Sequence, residues 1–191
     1  MLNEKLRPII EPFTTGTGRV LARAKISPNG LTTMGLAAMV FCSWLIVDGR
    51  PLLAGLLLIP AFLIDVFDGA LARATGRVTK WGSYFDSVSD RIADGVLFGA
   101  FVWVARAETR LLAAALLALV ITLLVPYARA KAEALGFTAA SGLGERAERA
   151  VVICAGLILG YEEAALWIIS ALTLFTFVGR SLSVRRQASA G

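Results

Sequence analysis

Four aspartates sit close together in an otherwise apolar part of this 191-residue chain. With their neighbours they read D-x2-D-G-x2-A-R-x8-G-x3-D-x3-D, running from Asp65, Asp68, Gly69, Ala72 and Arg73 to Gly82, Asp86 and Asp90. Apolar runs at 56–63 and 96–104 flank them. Ionisable side chains inside a membrane segment are costly and by default mark function. Carboxylates converging there would repel unless cations sat between them. Hard oxygen donors select Mg²⁺, Mn²⁺ or Ca²⁺ over zinc or copper. A pair of such ions clamping a diphosphate is the natural use of the set. The chain has no histidine, so acid–base work falls to carboxylates.

Helical spacing makes this convergence plausible. Asp65, Asp68, Gly69 and Ala72 fall at i, i+3, i+4 and i+7, one face of a helix, and Gly82, Asp86 and Asp90 repeat every four residues. A short turn at 75–80 would make the two helices antiparallel neighbours with facing acidic stripes. The small residues have two readings: room for a phosphate or nucleotide to approach the backbone, or close packing of membrane helices. Arg73 would contact phosphate or anchor its helix at the interface. Asp94, one turn beyond Asp90, is expected to pair with Arg91 at i,i+3 and support the stripe.

The elements that must position these residues are membrane helices. The chain is 57% hydrophobic and 17% charged, with mean hydropathy +0.72, against roughly 25% charged for soluble domains. Six stretches approach the ~20 residues a crossing requires: 31–47, 52–74, 82–105, 111–134, 147–161 and 164–184. They predict an all-α protein, a six-transmembrane-helix bundle over 31–185. Residues 1–30 form a juxtamembrane amphipathic segment ahead of it, read as interfacial helix or as a basic tail held by anionic lipid. Residues 186–191 form a tail. Cys42 and Cys154 read as small buried hydrophobes.

Basic residues orient the bundle. With the N-terminus inside, 16 of the 19 Lys and Arg fall on one side, leaving Arg50, Arg106 and Arg110 for the other. Both termini and the motif's mouth are then cytosolic, in a multi-pass protein of the cell's inner (plasma) membrane. Arg129, Lys131, Arg146, Arg149 and Arg180 gather at the same mouth. They suit a phosphorylated acceptor gripped by arginine forks, although positive-inside topology alone would also place cations there.

The eight-residue signature resembles that of the CDP-alcohol phosphotransferase family, with every fixed position and the eight-residue spacing intact. The resemblance implies a six-span enzyme, usually dimeric, that moves a substituted phosphate from a CDP-linked donor to an alcohol and releases CMP. It implies that Asp65, Asp68 and Asp86 hold Mg²⁺ or Mn²⁺, two ions in all. Asp90 corresponds to the general base and also touches metal. Gly69, Ala72, Arg73 and Gly82 correspond to the nucleotide pocket, which Asn29 and Thr32 help close. The stretches 127–136 and 144–149 resemble the actinobacterial phosphatidylinositol phosphate synthases. On that resemblance the donor is CDP-diacylglycerol and the acceptor inositol phosphate, held by Arg129, Lys131, Arg146, Arg149 and Arg180. Glycerol 3-phosphate is the rival acceptor, giving a phosphatidylglycerophosphate synthase. Membrane lipids and a second copy of the chain are the expected partners, and nucleic acid is not. Two other classes compete: membrane prenyltransferases, whose acidic motifs are spaced otherwise, and a divalent-cation carrier built on the same acids.

Overall fold

The computed structural model describes residues 27–74, 79–139, 142 and 145–190, without the side chains of 65–74 and 190. The expected amphipathic segment at 1–30 lies outside this description except for its last four residues. Six α-helices account for nearly all of the described chain: α1 Pro28–Val47, α2 Pro51–Ala74, α3 Lys80–Val104, α4 Thr109–Ala134, α5 Arg146–Leu159 and α6 Glu162–Ala190. A 3-10 turn at Ala105–Ala107 joins α3 to α4. No described residue is in a strand.

Local chemistry sets the helix ends. The Ser27 hydroxyl accepts from the Gly30 amide at 3.1 Å, with Pro28 in the first turn. The 27–30 stretch therefore starts α1. Gly49 closes that helix at φ +76, with Arg50 N–H donating to the Leu45 carbonyl at 2.9 Å. Only a residue tolerant of the left-handed region ends a helix so tightly, and Gly160 does the same for α5 at φ +74.

Each helix packs against two others. Contacts join α1 to α2 and α3, α2 to α5, α5 to α6, α6 to α4, and α4 to α3. The six therefore close into a ring in the order α1, α2, α5, α6, α4, α3. Among the described residues α2 and α3 have no close backbone approach, but Ala61 and Phe62 of α2 line crevices with Asp90 and Asp94 of α3. The core holds Met39, Leu45, Leu58, Phe98, Phe101, Ile153, Leu157, Leu166 and Ile169, together with both cysteines, which are buried as expected. Large apolar side chains also face outward, among them Trp44, Leu52, Trp103, Val151 and Phe175. Buried polar residues include Thr32, Ser89, Asp94, Arg149 and Arg180. An apolar exterior around a partly polar interior suits hydrocarbon as the surrounding medium.

Among the described residues three helical segments are long and apolar enough to cross a membrane: Pro28–Val47, Thr109–Ala134 and Glu162–Ser189. A shorter apolar segment covers Pro51–Ile64. Helix α3 carries Lys80, Asp86, Asp90, Arg91 and Asp94. With 14 residues, α5 rises only ~21 Å, against a hydrocarbon core of about 30 Å.

Glycine lets α5 nest between its neighbours. A Cβ on Gly55 would meet Leu157 Cβ at 2.8 Å and the Ile158 amide nitrogen at 3.2 Å. A Cβ on Gly156 would stand 2.4 Å from that of Ala165. These contacts involve backbone or first side-chain atoms, which cannot swing aside. Gly55→Leu and Gly156→Leu are each expected to cost roughly 1–3 kcal/mol by overpacking. Thermal melting of the detergent-purified variants checks this, and an unchanged midpoint would contradict the packing.

Candidate active site

The motif divides between two helices. Asp65, Asp68, Gly69, Ala72 and Arg73 lie in the last turns of α2, as their spacing required. Their side chains lie outside the described residues. Gly82, Asp86 and Asp90 lie on α3. The Thr79 hydroxyl caps that helix by accepting from Gly82 N–H at 2.9 Å. Asp86 and Asp90 are both partly buried and stand ~6 Å apart along the axis.

The first turns of α1 and α3 meet here. A Cβ on Gly82 would stand 3.3 Å from the Asn29 side-chain oxygen, so two residues assigned to the nucleotide pocket come together. Thr32 is buried and donates its hydroxyl to the Pro28 carbonyl at 3.1 Å. It lines a crevice with Gly35, Ser89, Asp90 and Arg146.

Two arginines of α5 answer two aspartates of α3 across the ring. Arg146 pairs with Asp90 through its Nη1, and its guanidinium carbon stands 6.0 Å from the Phe62 ring centroid. Arg149 donates from Nη2 to Asp94 Oδ2 at 2.9 Å, with both residues buried. The earlier arginine meets the earlier aspartate, so the two helices run in the same direction. The expected Arg91–Asp94 pair is present but loose at 3.9 Å, and Arg91 also lies 3.7 Å from Asp90. Asp94 therefore takes its closest partner from another helix, because α5 turns a guanidinium into the ring where Arg91 grazes its edge.

The five cations read as one cluster fall into two groups. Arg146 and Arg149 belong to the crossing just described. Arg180 is buried on α6 and donates to the Val125 carbonyl of α4 at 2.8 Å. Its charged neighbours are Arg129, Glu145 and Glu133. Arg129 is exposed and pairs within its own helix with Glu133 at 2.8 Å, and Lys131 is exposed. Glu145 precedes Arg146 and links the two groups along the chain.

Two features had no signal in the sequence. The Phe62 ring flanks Arg146. Gln187 clasps the loop before α5: it accepts from the Thr138 amide at 2.9 Å and donates to the Thr138 carbonyl at 2.8 Å. The same loop returns at Gly142, where a Cβ would strike Thr176 Cγ2 at 2.4 Å.

Among the described residues no three acidic, cysteine or histidine side chains converge as a metal site, and the side chains of Asp65 and Asp68 lie outside that set. The donors that are described fit a hard cation. Asp86 and Asp90 offer carboxylate oxygens one turn apart, and neither cysteine lines the crevice at Asp90.

Known proteins resemble this chain in sequence and fold. The CDP-alcohol phosphatidyltransferase family profile matches residues 25–178. The archaetidylinositol phosphate synthase of Pyrococcus horikoshii is 32% identical over 190 residues, covering 98% of both chains. The phosphatidylinositol phosphate synthase of Corynebacterium glutamicum is 36% identical over 183 residues, covering 90% of this chain and 82% of its own. The crystal structure of the Mycobacterium tuberculosis phosphatidylinositol phosphate synthase with CDP-DAG bound superposes with a TM-score of 0.80 at 29% identity, covering 90% of this chain and 92% of its own. The same enzyme in complex with manganese and citrate gives a TM-score of 0.81 at 28% identity, covering 90% and 88%. With the whole motif, its two helices and most of the chain matched, this protein belongs to the CDP-alcohol phosphatidyltransferase family.

Proposed function

We propose that the protein transfers the phosphatidyl group of CDP-diacylglycerol to an inositol phosphate, giving phosphatidylinositol phosphate and CMP. The observation that carries this reading is the crossing of Asp90 and Asp94 by Arg146 and Arg149. It sets guanidinium groups for an anionic acceptor beside the carboxylate that would take the acceptor's proton. The relatives' names support the acceptor more than the lipid, since they share the inositol phosphate head and differ between archaetidyl and phosphatidyl. We further infer six spans in the inner membrane, with both termini and the site on the cytosolic side. The basic-residue asymmetry supports this.

In the reaction the residues bind, orient and move one proton. Asn29, Thr32, Gly69, Ala72, Arg73 and Gly82 hold the nucleotide. Two Mg²⁺ or Mn²⁺ ions, held by Asp65, Asp68, Asp86 and Asp90, would supply charge neutralisation for the donor's diphosphate. Manganese in the Mycobacterium tuberculosis crystal structure supports that choice of ion. Arg129 and Lys131 steer the anionic acceptor to the mouth, Arg146 and Arg149 grip its phosphate from α5, and Arg180 of the second group closes on it from α6. As that phosphate draws Arg146 away, Asp90 becomes able to accept the proton of the attacking hydroxyl. The hydroxyl oxygen bonds to the phosphatidyl phosphorus, the bond from that phosphorus to the CMP oxygen breaks, and CMP leaves. Positioning and electrostatics supply most of such catalysis.

Incubating the purified protein with labelled CDP-diacylglycerol and either inositol phosphate or glycerol 3-phosphate, then identifying the lipid by mass spectrometry, tests the assignment. Product with glycerol 3-phosphate alone would overturn it. Asp90→Asn is expected to lower turnover about 10²–10⁴-fold while donor binding persists, and near-normal turnover would remove the general-base role. Arg180→Ala is expected to raise the acceptor KM roughly tenfold or more with little change in the donor KM. Equal changes in both constants would remove Arg180 from the acceptor pocket.

A further inference from the structure

We propose that Asp94, which lies outside the eight-residue motif, is a positioning residue for acceptor recognition: it fixes the Arg149 guanidinium across the ring, in the place from which that group grips the acceptor phosphate. This rests on the acceptor-site reading of Arg149 and adds the group that orients it.

Burial comes first. Asp94 is 2% exposed and Arg149 5%, and their 2.9 Å hydrogen bond lies beside Phe62, Phe98 and Ile153. In such surroundings a guanidinium without a carboxylate partner would swing toward the aqueous mouth. A carboxylate on one edge of the planar group sets its plane as well as its place.

Topology comes second. Helices α3 and α5 have no close backbone approach among the described residues, so side chains alone join them across the ring. Apolar side chains hold each helix to its own neighbours, and a buried ion pair is a poor source of net stability. What the pair provides there is direction.

Charge comes third. Three guanidinium groups, those of Arg91, Arg146 and Arg149, surround two carboxylates, those of Asp90 and Asp94. Among the described residues the Arg91 Nε–H is buried without a hydrogen-bond partner. An entering phosphate monoester would meet that donor beside the general base.

The test is steady-state kinetics on the full-length protein in detergent, with CDP-diacylglycerol as donor and inositol phosphate as acceptor. Asp94→Asn is expected to raise the acceptor KM roughly tenfold or more, with kcat and the donor KM little changed. The double variant Asp94→Asn/Arg149→Ala is expected to match Arg149→Ala alone, because Asp94 acts through that arginine. An unchanged acceptor KM in Asp94→Asn, or effects that multiply in the double variant, would overturn the proposal. If Asp94→Asn fails to accumulate, the double variant carries the comparison, since it leaves no unpaired buried charge. Failure of both variants while Arg149→Ala folds would make the pair structural and overturn positioning. An unchanged acceptor KM in Arg149→Ala would instead show that the acceptor reading of Arg149 had failed, and this inference with it.

Discussion

Charge placed inside an apolar ring must be answered by charge, and that requirement shapes the interior. Helix α3 brings Asp86, Asp90 and Asp94 into surroundings made largely of Leu, Phe, Ala and Ile. Two of these three carboxylates are met by arginines of a helix on the far side of the ring. Arginine suits the task because its long stem packs along apolar surface while its planar head forks onto oxygen. The register, earlier with earlier and later with later, follows from two helices running in the same direction.

That crossing depends on α5 lying deep and close to its neighbours. Gly55 and Gly156 remove the atoms that would hold it away. Its shortness places Arg146 in the first turn, already within reach of Asp90. Gln187 and Thr176 fasten the preceding loop to α6, so the start of α5 has a defined place. Helices α1, α3 and α5 all begin at this end, where Asn29, Gly82 and Arg146 lie. Helix N-termini carry partial positive charge, which suits the anionic donor and acceptor proposed for the site.

The membrane sets how the ring can be held together. Where hydrocarbon replaces water, apolar side chains gain little by meeting one another, and small residues and polar contacts carry the specificity. The glycines of α2 and α5 and the Arg180 bond to the Val125 carbonyl are instances. The same medium explains why so many large apolar residues point outward.

The helices and their chemistry were legible in the chain itself. Apolar runs, Pro and Gly stops, and the four-residue spacing of Gly82, Asp86 and Asp90 are local properties, and the structure keeps them on one face of α3. The aspartate-rich signature likewise pointed to hard cations and a diphosphate before any helix was placed. Spacing along one helix, however, says nothing about which other helix it faces. The packing of α1 on both α2 and α3, the reach of Arg149 to Asp94, and the division of five cations into two groups all depend on the order in which the ring closes. So does the clasp of Gln187 on Thr138, 49 residues apart in sequence. Those partners are chosen by packing between distant segments, where shape and charge are matched only once the ring has closed.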